Sequence, residues 1–498
     1  MIEFIVEIAF YISTLVTLLI FMLPSQYEPK RIEDNTAAGE PKIRVQVIVL
    51  GDIGRSPRMQ YHALSIARAG GKVDLIGYHG EEEKLQAIAP SAVLIRGLES
   101  EVHPEISSHP HITIVPIPPH PSYLQTSSKL LFLLFAPLKV LFQVVSLWWI
   151  LAYRTIPSKW LLVQVGYLFA FSRTEEMLSN GIMQNPPSIP TLAIASLVCF
   201  LRQTKMVIDW HNFGYTILAL KLGDNHPLVR LSRLYERAFC RSAVAHYCVT
   251  KAMASVLRKD FEIETPVLPL HDRPVSHFHP VVDEQERKQF LLALPEAAPL
   301  HDEIKEGKAE VIVSSTSWTP DEDFSLLIDA LCRYSEVSST SKPHLPAILA
   351  IITGKGPQRD MYVEHISKLE KDGKLSKVVI RTAWLSTGDY ARLLASASLG
   401  VSLHTSSSGV DLPMKVVDMF GSGLPVVGWS KFEAWPELVT EGVNGKGFGS
   451  SNELAEQLIG LFGIPNELRK LRSGAQDASS YRWDDEWAPI AGKLFGLV

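Results

Sequence analysis

Short apolar runs alternate with amphipathic ones along most of this chain, the rhythm of a parallel α/β protein. In the first half, the runs that read as buried strands are 44–50, 73–78, 92–95, 112–117, 160–165, 206–209 and 244–249. Between the first two, Met59, Ala63, Ile66 and Ala67 fall at i, i+4, i+7 and i+8, which is one face of a helix. A second series follows at 311–315, 348–353, 378–381, 399–403 and 425–429, again with helical spacers. Strands apolar throughout are covered on both faces, so the pattern predicts two doubly wound, Rossmann-like parallel sheets. Between the two series, LPLHDRPVSHFHP is rich in Pro and His, lacks periodicity and reads as a linker. The chain ends in YRWDDEWAPIAGKLFGLV, a Trp-rich tail expected to pack back on the first half.

Two segments break the rhythm. From Phe4 to Leu23 the chain is nearly all apolar, interrupted by Glu7. About 20 such residues span the roughly 30 Å hydrocarbon layer of a bilayer. A signal peptide would carry a basic start and a small-x-small cleavage site, and neither is present, so 1–24 reads as a transmembrane anchor. Glu3 and Glu7 precede or interrupt the run, and Lys30 and Arg31 follow it, which places the C-terminal bulk in the cytosol. Residues 25–41 read as a tether, 42–272 as the first domain, 273–480 as the second and 481–498 as the tail. The other segment is 130–151, also long enough to span, but broken by Pro137 and charged by Lys139. It is either a buried core helix of the first domain or a face that dips into the membrane.

Composition narrows the function. With 498 residues the chain exceeds one core. It holds 48 Lys plus Arg against 53 Asp plus Glu, which excludes the strong basic excess of a nucleic-acid binder. Its four scattered cysteines lack zinc spacing and suit a reducing compartment.

In open α/β sheets, ligands bind outside the carboxyl ends of the strands. After the first strand comes GDIGRSPR. Gly51 and Gly54 permit a tight turn, Arg55 and Arg58 are forked donors suited to phosphate, Ser56 and Pro57 open a helix, and Asp52 faces the cleft. A later strand ends in DWHN, with Asp209, His211 and Asn212 suited to acid–base work or hydroxyl binding. In the second half SSTSWTPDEDF follows a strand. There Thr319 is the expected helix N-cap, with Asp321, Glu322 and Asp323 matching the helix dipole, while Ser317 and Trp318 are expected to face a ligand. ITGKGP sets Lys355 between glycines, an anion nest but not a P-loop. The richest stretch is HTSSSGVDLPMKVVDMFGSGLPV. Ser406, Ser407, Ser408 and Gly409 precede a helix on which Lys415 and Asp418, three apart, share a face. Free amides, a helix N-terminus, one Lys and one Asp suit a nucleoside diphosphate.

GDIGRSPRMQYHALSIA, DWHNFGYTIL, STSWTPDEDF, ITGKGP and HTSSSGVDLPMKVVDMFGSGLPV together resemble the endoplasmic-reticulum β-1,4-mannosyltransferases acting on chitobiosyl-diphospho-dolichol, over about residue 43 to the tail. That resemblance implies a GT-B glycosyltransferase, two Rossmann-like domains facing a cleft, behind an N-terminal transmembrane helix. It implies transfer of mannose from GDP-mannose, with inversion, onto GlcNAc2-PP-dolichol at the cytosolic face of the endoplasmic-reticulum membrane. Other mannosyltransferases of the same pathway are expected partners. Donor-binding residues carried over by position are Ser317, Trp318, Lys355, Ser407, Ser408, Gly409, Asp411, Lys415 and Asp418. On the acceptor side they are Gly54, Arg55, Ser56, Arg58, Asp209 and Asn212. Asp52 and His211 are the candidate general bases, and Lys415 meets the leaving diphosphate. No tightly bound cofactor is expected and no metal ligands are assigned; no D-x-D pair follows a strand, so a divalent cation is compatible with the fold but not indicated.

Two departures from the family pattern stand out. Retaining relatives carry E-x7-E; here Asp418 fits the second acid, but Val410 occupies the first position, with Asp411 beside it. That departure disfavours the retaining subclass; the alternatives to the inverting reading are a retaining lipid mannosyltransferase or a non-catalytic scaffold subunit. In addition, VGYLFAFSRTEEMLSNGIMQ, 165–184, lies where the family runs straight from LLVQ into NPPSIPT.

Overall fold

The computed structural model describes residues 10–17, 23–24, 41–78, 102–119, 121, 129–165, 189–319 and 322–498, without the side chains of Leu50, Arg55 and 129–134. The expected tether, the strand at 92–95 and the insertion after Val165 lie outside the described residues. So does most of the expected anchor, of which 10–17 are helical.

The chain forms two compact units. One takes in the chain up to Cys248, Val256–Pro269 and Trp487–Val498; the other comprises Val249–Ser255 and Leu270–Glu486. In the first unit, seven parallel strands are β1 (Arg44–Asp52), β2 (Lys72–Tyr78), β3 (Ile112–Pro116), β4 (Trp160–Val165), β5 (Lys205–Trp210), β6 (Ala245–Cys248) and β7 (Val267–Pro269), in the order β3-β2-β1-β4-β5-β6-β7. Val47, Ile48, Leu162, Val163, Val207 and Ile208 are wholly buried. Burying each such side chain contributes about 1.5–3 kcal/mol relative to exposure. The last segment belongs to this unit: Trp487 Nε1 donates to His62 Nδ1 at 3.0 Å, and Phe495 meets Trp160 edge-on.

The second unit repeats the scheme with β8 (Ala309–Ser315), β9 (Ala347–Thr353), β10 (Val378–Ala383), β11 (Leu399–Ser402), β12 (Val426–Trp429) and β13 (Gly445–Phe448), all parallel in the order β10-β9-β8-β11-β12-β13. Two of the strands, β7 and β13, escape the sequence pattern. Both are short, and β13 carries Gly445 where a Cβ would sit 2.5 Å from the Val426 carbonyl oxygen. The neighbouring strand thus demands a glycine, and glycine leaves no apolar signature.

The helix Lys129–Trp149 runs through Pro137 into a wider π turn, Ile150–Arg154. Phe135–Arg154 is long and apolar enough to cross a membrane, and little of it is buried.

Candidate functional site

The strand order of the second unit reverses between β8 and β11. Loops leaving the carboxyl ends of strands at such a point splay apart and leave a crevice. The loop after β8 brings Ser317, the loop after β9 brings Gly354–Gly356, and the loop after β11 leads into the helix Met414–Gly421.

Lys415 is the hub. Its Nζ donates to Glu322 Oε1 at 2.6 Å and to Ser317 Oγ at 3.2 Å. The other oxygen of Glu322 accepts from the Ser317 amide and from Thr316 Oγ1, each at 2.6 Å. Glu322 is almost fully buried and forms an isolated antiparallel bridge with His404. This corrects the expected helix start. Glu322 is drawn across to β11's loop, so the helix begins only at Ser325, and Asp323 rather than Thr319 caps its first amide. Pro320 and Asp321 lie outside the described residues.

Trp318 is also corrected. It adopts φ +50°, is 1% exposed, and donates through Nε1 to the Gly354 carbonyl at 3.2 Å. Its ring packs on Phe324 and Tyr362. A left-handed backbone at a bulky residue costs about 1–3 kcal/mol and persists only where surrounding structure over-determines it. Here that turn buries the indole and leaves Ser317 exposed. The loop after β9 lies close against it. A Cβ on Gly356 would stand 1.8 Å from the Ser317 carbonyl oxygen. Gly356→Ala is therefore expected to push these loops apart at a cost of about 1–3 kcal/mol, read as a lowered thermal midpoint together with weakened nucleotide binding. Lys355 does not join the hub; its ammonium sits 4.1 Å above the Trp384 ring.

In the loop after β11, Ser406 is left-handed at φ +57° and Gly409 at φ +74°. Asp411, expected to touch the donor, is turned inward, accepting from Ser406 Oγ and meeting His404 Nε2 at 3.1 Å. Burial opposes ionisation of Asp411, but the bonds from His404 and Ser406 hold its carboxyl below the usual range. Conversely, burial disfavours a charged His404, yet Asp411 raises its pKa overall. This pair braces the loop, leaving Ser407, Ser408 and Gly409 partly exposed along it. Asp418 lies one turn beyond Lys415. Burial and nearby Asp272 push its carboxyl well above the usual range, with Lys415 opposing. A carboxyl shifted in this direction takes up a proton more readily, and in its protonated form it can donate to a hydroxyl as well as accept from one.

In the first unit the fates of the expected acceptor residues divide. Arg58 and Asp209 are wholly buried and face each other, Nε–Oδ2 at 2.8 Å and Nη2–Oδ1 at 3.0 Å. Neither meets solvent, so both are corrected from ligand groups to a buried bidentate ion pair joining the helix Pro57–Arg68 to β5. Burial would raise the Asp209 pKa, but Arg58, His211 and His62 together hold it well below the usual range. His211 spends both ring nitrogens: Nε2 meets Asp209 Oδ2 at 3.0 Å and Nδ1 meets Gln164 Nε2 at 3.2 Å. Asn212 Oδ1 accepts from the Phe213 amide at 2.8 Å, ahead of the helix Gly214–Leu222. Ser56 is buried. Asp52 remains partly exposed beside Gly54, whose amide its Oδ1 accepts at 2.9 Å. The Arg55 side chain lies outside the described atoms.

Sequence reasoning missed Glu322, His404 and Gln164 as parts of these clusters. His404 had a local signal, a polar residue directly after an apolar strand. Glu322 and Gln164 had none, because Lys415 and His211, which draw them into these clusters, lie 93 and 47 residues away.

The profile of the family described as Glycosyl transferases group 1 matches residues 309–463. A chitobiosyldiphosphodolichol beta-mannosyltransferase of Arthroderma benhamiae is 54% identical over 410 residues, covering 82% of this chain and 87% of that protein. The protein named UDP-glycosyltransferase TURAN, from Arabidopsis thaliana, is 39% identical over 500 residues, covering 91% and 97%. Among solved structures, sucrose-phosphate synthase from Thermosynechococcus elongatus is similar in fold at 13% identity, with a TM-score of 0.59 over 91% of this chain and 98% of that one.

Proposed function

Because the chain belongs to the chitobiosyldiphosphodolichol beta-mannosyltransferase family and is a glycosyltransferase with the GT-B fold, we propose that it transfers mannose from GDP-mannose to GlcNAc2-PP-dolichol. The linkage formed is β-1,4, with inversion, and the product is Man-GlcNAc2-PP-dolichol on the cytosolic face of the endoplasmic-reticulum membrane. One observation carries the donor side: Lys415, Ser317 and the amide-rich loop Ser406–Gly409 gather at the reversal point of the second unit's sheet.

In this reading the acceptor 4-hydroxyl attacks the mannose anomeric carbon as the bond to the diphosphate breaks. The charge that develops on GDP is met by Lys415 and the loop amides. Asp418 exchanges hydrogen bonds with the ribose hydroxyls. Of the two candidate bases we favour Asp52, since both nitrogens of His211 are already engaged.

The test is one turnover. Purified full-length protein, GDP-mannose and phytanyl-diphosphate chitobiose should yield one added hexose by mass spectrometry, and a β-mannosidase should remove it. An α-linked product would favour retention, and no product would favour a scaffold. The name of the Arabidopsis relative makes uridine nucleotides the natural competitors. GDP should stabilise the protein by about 2.7 kcal/mol at 100 times its Kd, and UDP should not. Equal protection by UDP would overturn the guanine donor.

A further inference from the structure

Three helices of the first unit turn apolar side chains outward. On Pro227–Cys240 the buried face is half polar, with Ser232 and Glu236 alongside Val229 and Cys240. Ser232 and Glu236 are wholly buried, while Leu231 and Leu234 are 57% and 63% exposed. On Thr191–Arg202, Leu197 and Phe200 lie three apart on the outer stripe, and Phe200 is 80% exposed. On Lys129–Trp149, the exposed line is Leu141, Val145 and Trp149, at i, i+4 and i+8. Thr191–Arg202 packs against both of the others, so the three stripes adjoin. Adjoining apolar stripes of this kind on a soluble surface mark an interaction site rather than chance exposure.

We propose that this three-helix face is embedded in the surface of a bilayer, so that the first unit itself sits in the membrane. The occupant is lipid because polar groups border the face in the way a headgroup layer requires. Arg230, Arg233, Arg237 and Arg241 run along the helix beside its leucines; the last three are also steadied by Asp260 and Glu262. Arginines so placed can rest their stems on the apolar stripe and reach phosphates with the guanidinium. At the end of the long helix, Trp148, Trp149 and Tyr153 cluster next to Arg154, the composition of a membrane–water interface. A second copy of the chain would not call for that cationic and aromatic rim. The inference rests on the lipid-linked acceptor proposed above, because a substrate anchored in a bilayer is reached from its surface.

The test uses the full chain in phosphatidylcholine–phosphatidylinositol vesicles containing a phospholipid with a photoactivatable group in its acyl chain. After irradiation and digestion, lipid adducts are expected on peptides from 191–202 and 227–240. Adducts confined to the N-terminal segment would overturn the proposal. In the Phe200→Glu, Leu231→Glu, Leu234→Glu variant, those adducts should vanish while the thermal midpoint stays within about 2 °C, as expected for surface positions. Mannosyl transfer to a vesicle-borne acceptor should fall about tenfold, with transfer to a short-chain acceptor in detergent unchanged. A detergent-solubilised dimer that this variant splits would assign the face to a second copy instead. The labelling requires neither donor nor acceptor, so a chain that is labelled yet transfers no mannose would refute the reaction and leave the membrane face standing.

Discussion

Lys415→Ala is expected to lower mannosyl transfer by about 10²–10³-fold, the usual cost of removing one preorganised donor from a developing negative charge. No other described cation lies within hydrogen-bond distance of both Ser317 and Glu322. Its ammonium does two jobs. It neutralises a nearly buried carboxylate, and it stands at the first turn of Met414–Gly421, where backbone amides also favour an anion. The structural job must be separated from the binding one. Removing Lys415 leaves Glu322 with the Ser317 amide and Thr316 hydroxyl, so the loop keeps part of its bracing and the thermal midpoint should fall only modestly. GDP protection, in contrast, should disappear. Lys415→Arg keeps the charge and should recover binding more fully than turnover. If Lys415→Ala retained both wild-type transfer and wild-type GDP protection, the diphosphate site would have to lie elsewhere.

Asp209→Asn should produce the largest loss of stability. The change leaves the Arg58 guanidinium buried without its counter-charge, and breaking a buried pair from one side costs about 3–5 kcal/mol. For a unit of this size that corresponds to a drop of about 6–20 °C in thermal midpoint. The combination Arg58→Met with Asp209→Leu should return part of the loss, because it removes both charges together. Acid should act on the same cluster in two stages. Burial, the foremost influence, holds His62 below its ordinary pKa of 6.5 and neutral, with its Nδ1 accepting from Trp487. As pH falls below about 6.5 the unfolded chain takes up a proton that the folded one refuses, so stability declines. Asp209 is depressed, so its contribution is intact above about 4 and is lost as pH drops further. His62→Gln should weaken the first stage without abolishing it, because buried His246, held down to about 4, loses stability over the same range. A stability curve flat from pH 7 to 5 in the wild type would contradict this account.

The strands were legible where both faces are covered. β4 reads WLLVQV and β9 reads AILAIIT, and burial of every or nearly every position leaves a run that is apolar but for Gln164 and the closing Thr353. The loops that bear polar clusters were legible for the same reason, since they begin where those runs stop. Within a loop, orientation was not. Trp318 and Ser317 are neighbours with opposite fates, set by a positive φ that no residue type announces. Arg58 resembles a phosphate ligand in sequence but is claimed by an acid 151 positions later.

Periodicity and composition are local properties, and they were sufficient to establish two α/β units and the strand ends at which chemistry gathers. Which charged groups face solvent and which neutralise one another depended on contacts closed across 93 to 151 residues. Such pairings follow from the order in which strands lie side by side, and that order has no signature in any short window of the chain. The helix Pro227–Cys240 shows the same limit from the other direction: its sequence contains both a leucine stripe and a mixed stripe of Val229, Ser232, Glu236 and Cys240, and only packing against its neighbours selected the mixed one for burial.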